Sequence, residues 1–385
     1  MARWWHLIMP YASRPHKPEK HDLPYLNDEG YIDFRPGDPE NPQNWSVARR
    51  WFITVCSTFV VLNGTMASSA PSGCLDSLTT HFNVSDTAAN LSITLYLLGY
   101  CAGPFFLAPM AEFYGRRWVM WSTFLAYVGV TFLTAFPPNF GGFLVGRLLA
   151  GVFVSGPIAN TPGVYADIWD PVRRDDSMIL YATTVWSGPN IGLIAAAFLD
   201  KALSWQWTFY FILMVSAFNV LLMMTIPETH AVTILKQKAM RIRAAKMPGY
   251  QNVKDPSQKD QESIMHKYMV LLKWPWLLAV DTIAFLCNIY IGVVFTLQFM
   301  LYSVYPVAFE DIRGMPTAVS QLPLLGAVVG AFIAAFILLY DIRWRAKLAA
   351  TSKTTSPEKR LYMAIIGGVT FPVAMFWFAW TAHYG

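Results

Sequence analysis

Charge is what this sequence is short of. Only 14% of its 385 residues are Asp, Glu, Lys or Arg, against about a quarter in a soluble domain. That shortage excludes a water-exposed globular surface over most of the chain. Cysteine is scarce too: the four are Cys56, Cys74, Cys101 and Cys287. No pair has motif spacing, and all but Cys74 fall in apolar runs, so neither a disulfide framework nor a metal site is read. The seven His all lie outside the apolar runs, which leaves no histidine set for a membrane-embedded haem or di-iron centre. No nucleophile–base pair can be placed together, so no enzyme and no cofactor are expected. No Gly-rich ATP loop is found, which points to an ion gradient as the energy source. Nothing suggests a nucleic-acid partner. No cleavable signal peptide is read either, so the first apolar run acts as its own insertion signal.

What the sequence has is apolar length. Hydrophobic residues make up 55%, aromatics 15%, and there are 15 Trp, a composition suited to membrane-interface belts. Nine runs approach or exceed the length of a spanning helix. They are Trp51–Ala70, Asn90–Leu107, Trp118–Phe136, Gly142–Tyr165, Met178–Leu199, Trp207–Ile226, Trp276–Tyr302, Ala318–Tyr340 and Leu361–Trp380. The expected fold class is an all-α polytopic membrane protein. Four parts follow: a cytoplasmic tail over 1–50, six spans over 51–226, a basic linker over 227–274, and three spans over 275–385.

Charge position sets orientation. With the N-terminus in the cytoplasm, the inner loops hold Arg49, Arg50, Arg116, Arg117, Arg173, Arg174, the run from Lys236 to Lys273, and the bases from Arg343 to Arg360. The outer loops then hold only Lys201 and Arg313. This is the positive-inside pattern, and it places the Asn83-Val84-Ser85 sequon outside, where Asn83 is a candidate for glycosylation. Residues 1–44, rich in Pro and acids, read as a mobile tail, with Asn44 or Ser46 capping the helix that follows. In the linker, Lys236, Lys238, Arg241, Arg243 and Lys246 alternate with Ile234, Leu235, Met240 and Ile242. That pattern reads either as an amphipathic helix on the inner leaflet or as a solvated basic linker.

Between the second and third runs stands Ala108-Pro109-Met110-Ala111-Glu112-Phe113-Tyr114-Gly115-Arg116-Arg117. So short a hinge makes the two spans antiparallel neighbours and puts Glu112 and the Arg pair at one membrane face. Gly115 permits a tight turn. Taken alone, the stretch is either a gate or a positively charged loop that only sets orientation. The combination of acid, Gly and two bases resembles the cytoplasmic motif of the major facilitator superfamily. There the resemblance implies that Glu112, Gly115, Arg116 and Arg117 gate the inner side. Ala108 and Phe113 stand where that family usually has Gly and a base.

Further segments resemble the fungal drug:proton antiporter branch of that family. They are Asn41 to Trp45, Trp205 to Tyr210, Pro227-Glu228-Thr229, Pro357 to Leu361 and Phe376 to Trp380. Arg147 lies several residues inside the fourth run. A buried Arg either pairs within the protein or snorkels to the interface; the resemblance gives it a part in proton coupling. Ser187-Gly188-Pro189-Asn190-Ile191-Gly192 resembles the antiporter motif of the fifth span through Gly188, Pro189 and Gly192. Leu193 and Ala196-Ala197 depart from it while keeping two small side chains.

The family assigns the substrate cavity to spans one, four, seven and ten. Candidate lining residues are Asn63, Asn160, Tyr165, Asn288, Tyr290 and Gln298, with Trp186 from a neighbouring span; each could instead be an interhelical hydrogen bond. Asp281 is the one acid inside the seventh run. It carries a proton, binds a cationic substrate, or simply pairs with a base. The family has twelve spans, and this chain has nine. The resemblance therefore implies a complete N-terminal half and a C-terminal half cut to three helices, with truncation as the expected reason. The expected function is a proton-coupled exporter of small organic molecules in the plasma membrane, with substrate, protons and bilayer as partners. The alternatives are a polyamine or cation carrier, and a truncated membrane protein that does not transport.

Overall fold

In a bilayer no water is available to satisfy the backbone, so an apolar run of spanning length must close its hydrogen bonds within itself as a helix. The computed structural model describes residues 25–27, 30–171, 173–244, 253–256, 264–351 and 361–382. The long helices are α1 (Val47–Ser69), α3 (Asp86–Tyr114), α4 (Arg116–Ala135), α5 (Phe140–Ile168), α6 (Arg174–Ala202), α7 (Trp205–Met224), α10 (Thr282–Pro306), α12 (Leu325–Thr351) and α13 (Leu361–Thr381). Shorter ones are α2 (Leu75–Phe82), α8 (Ala231–Ala244), α9 (Ile264–Val280) and α11 (Thr317–Ser320). Among the described residues, nine helical stretches are long and apolar enough to cross a membrane. The protein is an all-α membrane protein, and each of the nine stretches overlaps one of the nine apolar runs.

Local chemistry sets the ends. The Ser46 hydroxyl accepts from the Arg49 N–H at 3.4 Å and starts α1. Asn139 caps α5 by accepting from the Gly142 N–H at 2.7 Å. The first run outlasts its expected end: a 3₁₀ turn over Ala70–Cys74 carries α1 into α2. Asn83, the sequon residue, is exposed and closes α2 in the left-handed region at φ 52°.

The seventh run needs correction. Expected as one span from Trp276 to Tyr302, it is divided between α9 and α10, and Asp281 sits exposed at the break rather than inside a span. The cause is local: Asp is a poor helix interior residue whose side chain competes for backbone groups. Its N–H reaches back only to the Leu278 carbonyl, at 3.2 Å.

Two compact units divide the chain. One comprises Met1–Gly64, Leu95–Arg174 and Leu213–Asp281; the other comprises Thr65–Thr94, Asp175–Ile212 and Thr282–Gly385. In the first unit, α5 is the hub. An added Cβ on Gly151 would strike the carbonyl of Tyr96 on α3, one on Gly99 the carbonyl of Leu148, and one on Gly64 of α1 the side chain of Val154. In the second, Gly188 and Gly192 of α6 meet Thr65 and the Met66 carbonyl of α1, and Gly73 meets the Leu193 carbonyl and Ala196. Small residues four apart thus let these backbones approach closely, the usual source of helix association in lipid.

The first unit also corrects the expected mobile tail and leaflet helix. In the described part of the N-terminal segment, a two-residue strand β2 (Ile32–Asp33) pairs with β1 (Tyr25–Leu26). The Ile32 N–H donates to the Lys254 carbonyl at 2.9 Å. Ile32 is buried with Leu235, Ala239, Ile242 and Val253. The apolar face of α8 is therefore covered by protein. Its bases find acids of the same chain: Lys238 Nζ lies 2.7 Å from Asp38 Oδ2, Arg241 lies 2.9 Å from Glu40, and Arg243 lies 3.0 Å from Asp255. Burial pushes the Asp38 carboxyl up, but hydrogen bonds from Lys238 and the Glu40 N–H outweigh it and hold the carboxyl below its ordinary range. Lys246 lies outside the described residues.

Candidate functional site

The hinge between α3 and α4 is built around Gly115. Its φ of +92° and ψ of 150° lie where side chains are strained. An added Cβ would also fall 2.5 Å from Glu228 Oε2. The absence of a side chain lets that carboxylate reach the start of α4. Glu228 Oε1 accepts from the Arg116 N–H at 3.1 Å, and Oε2 from the Arg117 N–H at 3.2 Å. An anion on the first N–H groups of a helix satisfies orphan donors and meets the positive end of the dipole. Glu228 Oε1 also accepts from the N–H groups of Thr229 and His230, both at 2.9 Å.

Arg116 then turns its side chain between two further acids. Its Nε lies 2.6 Å from Asp167 Oδ2 near the end of α5, and a terminal nitrogen lies 3.1 Å from Glu112 one turn back on α3. Gly163 makes room for it, since an added Cβ there would overlap the guanidinium. His230 Nε2 lies 3.2 Å from Glu112 Oε2, and its Nδ1 lies 2.9 Å from the Thr233 hydroxyl. A ring that donates from Nε2 to Glu112 accepts at Nδ1 from Thr233. Thr229 adds a 3.3 Å bond to Asp167 Oδ2. The end of α3, the start of α4, the end of α5 and the segment after α7 are therefore joined by charge. The Arg116–Asp167 bond is worth ~1.5–3 kcal/mol and the contacts of the more exposed Glu112 less than about 1 kcal/mol, yet all break without chemical change, which suits a reversible latch.

Of the four expected gating residues, Glu112, Gly115 and Arg116 meet in this cluster. Arg117 joins it through its backbone N–H. Sequence reading missed Asp167, Glu228 and His230 as their partners. A signal existed for Glu228, in the Pro227-Glu228-Thr229 exit; Asp167 had only its place in the terminal turn of a span.

Arg147 does not snorkel. It is 2% exposed, with its guanidinium 4.2 Å from the centre of the Tyr96 ring. The close α3–α5 crossing at Gly151 brings the two together. The Tyr96 hydroxyl donates to the Gly64 carbonyl at 2.7 Å. Nearby in the same unit, Asn63 accepts from the Tyr127 hydroxyl and donates to Ser216, both at 3.0 Å.

The other candidate lining residues separate by environment. Asn160 is buried and donates to the Gly156 carbonyl of its own helix at 2.8 Å. Tyr165 is buried and shares a 2.7 Å hydrogen bond with Thr58 of α1. Trp186 and Gln298 are brought together: Gln298 Nε2 donates to the Trp186 carbonyl at 3.3 Å. Asn288 and Tyr290 are exposed on α10. The Pro189 carbonyl accepts from the Ser69 hydroxyl, while Leu193, a departure from the motif, is buried with Tyr302 and Leu324. Among the described residues no group of three or more His, Cys, Asp or Glu could hold a metal ion.

Comparison with known proteins gives one result throughout. The model of the Major Facilitator Superfamily matches residues 52–385. The MFS-type transporter oryN of Aspergillus oryzae is 33% identical over 351 residues, covering 90% of this chain and 68% of that protein. The MFS-type transporter acdC of Aspergillus candidus is 33% identical over 366 residues, covering 92% and 71%. The efflux pump FUBT of Fusarium oxysporum is 30% identical over 393 aligned residues, covering 98% and 66%. The chain thus spans about two thirds of the length of these relatives. Among solved structures, the proton:xylose symporter XylE bound to 6-bromo-6-deoxy-D-glucose matches with a TM-score of 0.52 at 18% identity, over 78% of this chain and 70% of that one. At that identity the likeness is one of fold.

Proposed function

From a chain that belongs to the major facilitator superfamily, we propose a proton-coupled secondary transporter that exports small organic molecules by alternating access. The family is one of membrane transporters, not of enzymes. Direction is supported by relatives named as efflux pumps, such as that of Fusarium oxysporum. The reading places the protein in the plasma membrane with its N-terminus in the cytoplasm.

The observation that carries the mechanism is the cluster at Gly115. Arg116, held between Glu112 and Asp167, and Glu228, seated on the start of α4, latch the cytoplasmic ends of the helices. Opening inward parts these groups, and closing re-forms their bonds. Arg147, a buried cation against Tyr96, assists proton coupling by penalising or favouring neighbouring proton positions. Asp281, exposed at a helix break, leaves the cation-carrier alternative without an observation in its favour.

The test expresses this chain in yeast lacking its own drug pumps and follows efflux of Nile red, a neutral aromatic dye. Export that slows severalfold with a protonophore, and again with Arg116→Ala, is the expected result. Export unaffected by the protonophore overturns proton coupling. No export above control cells, with the chain present at the membrane, overturns the exporter.

A further inference from the structure

The second compact unit holds two buried acceptors that the helices do not use. Gln298 on α10 is 7% exposed and Gln321, just after α11, is 3% exposed. Neither Oε1 has a hydrogen-bond partner among the described residues. The Gln298 amide cannot simply be turned over. Its nitrogen donates to the Trp186 carbonyl at 3.3 Å and to the Tyr302 hydroxyl at 3.0 Å. A carbonyl only accepts, so the atom facing Trp186 is nitrogen and the oxygen points elsewhere.

The two glutamines belong to one neighbourhood. Tyr302, bonded to Gln298, is buried against Leu193 and Leu324, and the Leu324 N–H donates to the Gln321 carbonyl at 3.1 Å. Beside them the rings of Trp186 and Phe295 stack, with centroids 4.9 Å apart and planes 23° from parallel. A buried acceptor left unmatched costs about 1–3 kcal/mol, so each of the two favours a ligand that brings a donor.

We infer that Gln298 and Gln321 form a binding site for a neutral aromatic molecule carrying hydroxyl or N–H donors. The donors go to the two Oε1 atoms, and the flat body lies against the Trp186–Phe295 pair. Neutrality follows from the chemistry: none of these side chains carries a charge, and burying an unpaired charge here is costly. The inference rests on the transport reading, because the bound molecule would be cargo, but the site itself is a claim about binding.

The experiment therefore measures binding with no gradient. The full chain in detergent micelles is titrated with 2,7-dihydroxynaphthalene and with 2,7-dimethoxynaphthalene, which has the same ring system and no donors. The diol is expected to bind at least about tenfold more tightly, as a site built for hydroxyls rejects the analogue lacking them. Gln298→Leu and Gln321→Met are each expected to collapse that preference while the ether's affinity stays the same. If one variant does not fold, the other decides. Equal affinities for diol and ether, or a preference that survives both substitutions, overturns the site. Diol preference without cellular export keeps the site and overturns the exporter; export without diol preference does the reverse.

Discussion

On Gly151, an added Cβ would overlap the carbonyl oxygen of Tyr96; on Gly330 or Gly367 it would meet nothing within 4 Å. All three sit in long apolar helices, α5, α12 and α13, and sequence alone does not separate them. The contrast extends to whole spans. In the 18-residue apolar window of Val47–Phe82, 78% of the residues are buried, whereas in that of Thr317–Arg345, the most apolar of the nine stretches, 6% are. Between helices in lipid there is no hydrophobic drive, because the solvent is itself apolar. Packing comes from small residues, hydroxyls and amides. Hydropathy therefore measures fitness for lipid rather than contact with protein.

The largest expected effect tests that contrast directly. Gly151→Ala forces α3 and α5 apart and should destabilise the protein by about 3 kcal/mol, toward the upper end for overpacking. Gly330→Ala should change stability by less than about 0.5 kcal/mol, as at unconstrained sites. Thermal unfolding of both variants in one detergent reads the difference, and equal losses would break the comparison. Next comes Gly115→Ala, expected to cost ~2 kcal/mol for its backbone region. Adding Glu228→Ala relieves the steric clash but not the strain, and it strips the carboxylate from the start of α4, so the double variant should be less stable still, though by less than the two single losses added together.

A smaller loss is expected at the latch. Asp167→Asn should cost ~1.5 kcal/mol by weakening a charge-assisted bond. A double-mutant cycle with Arg116→Ala should show coupling, and strict additivity would mean the pair contributes nothing. The smallest effect is a pH dependence. Asp38 is held below its ordinary range in the folded chain, so its contribution is fully present above the unfolded pKa. It is lost as pH falls through the folded value. Lys238→Met should flatten this acid limb by about 1 kcal/mol, read as the melting temperature from about pH 5 down to about pH 2 (the ordinary Asp value and below it).

Much of the architecture was legible because it depends on runs of one chain. Nine apolar stretches, the Gly115 hinge and the small residues of α6 are all local patterns. The partnerships were not, since Asp167 reaches Arg116 from the end of α5 and Glu228 from the segment after α7, and nothing near Arg116 in sequence points to them. Asp281 was misplaced because an apolar run conceals a helix break when one polar residue interrupts it. The α8 helix was recognisable by its alternation of bases and apolar residues. What covers it was not, because Ile32 lies far away along the chain and Val253 beyond the end of the helix.

That last pairing has a consequence for the order of assembly. Lys238 and Asp38 are 200 residues apart, and six spans are made between them. Asp38 leaves the ribosome early, but its partner does not exist until α7 has been synthesised. Closing so long a loop carries an entropic cost and comes late. The clamp between the two can therefore act as a completion mark: it forms only on a chain whose first six helices have been inserted.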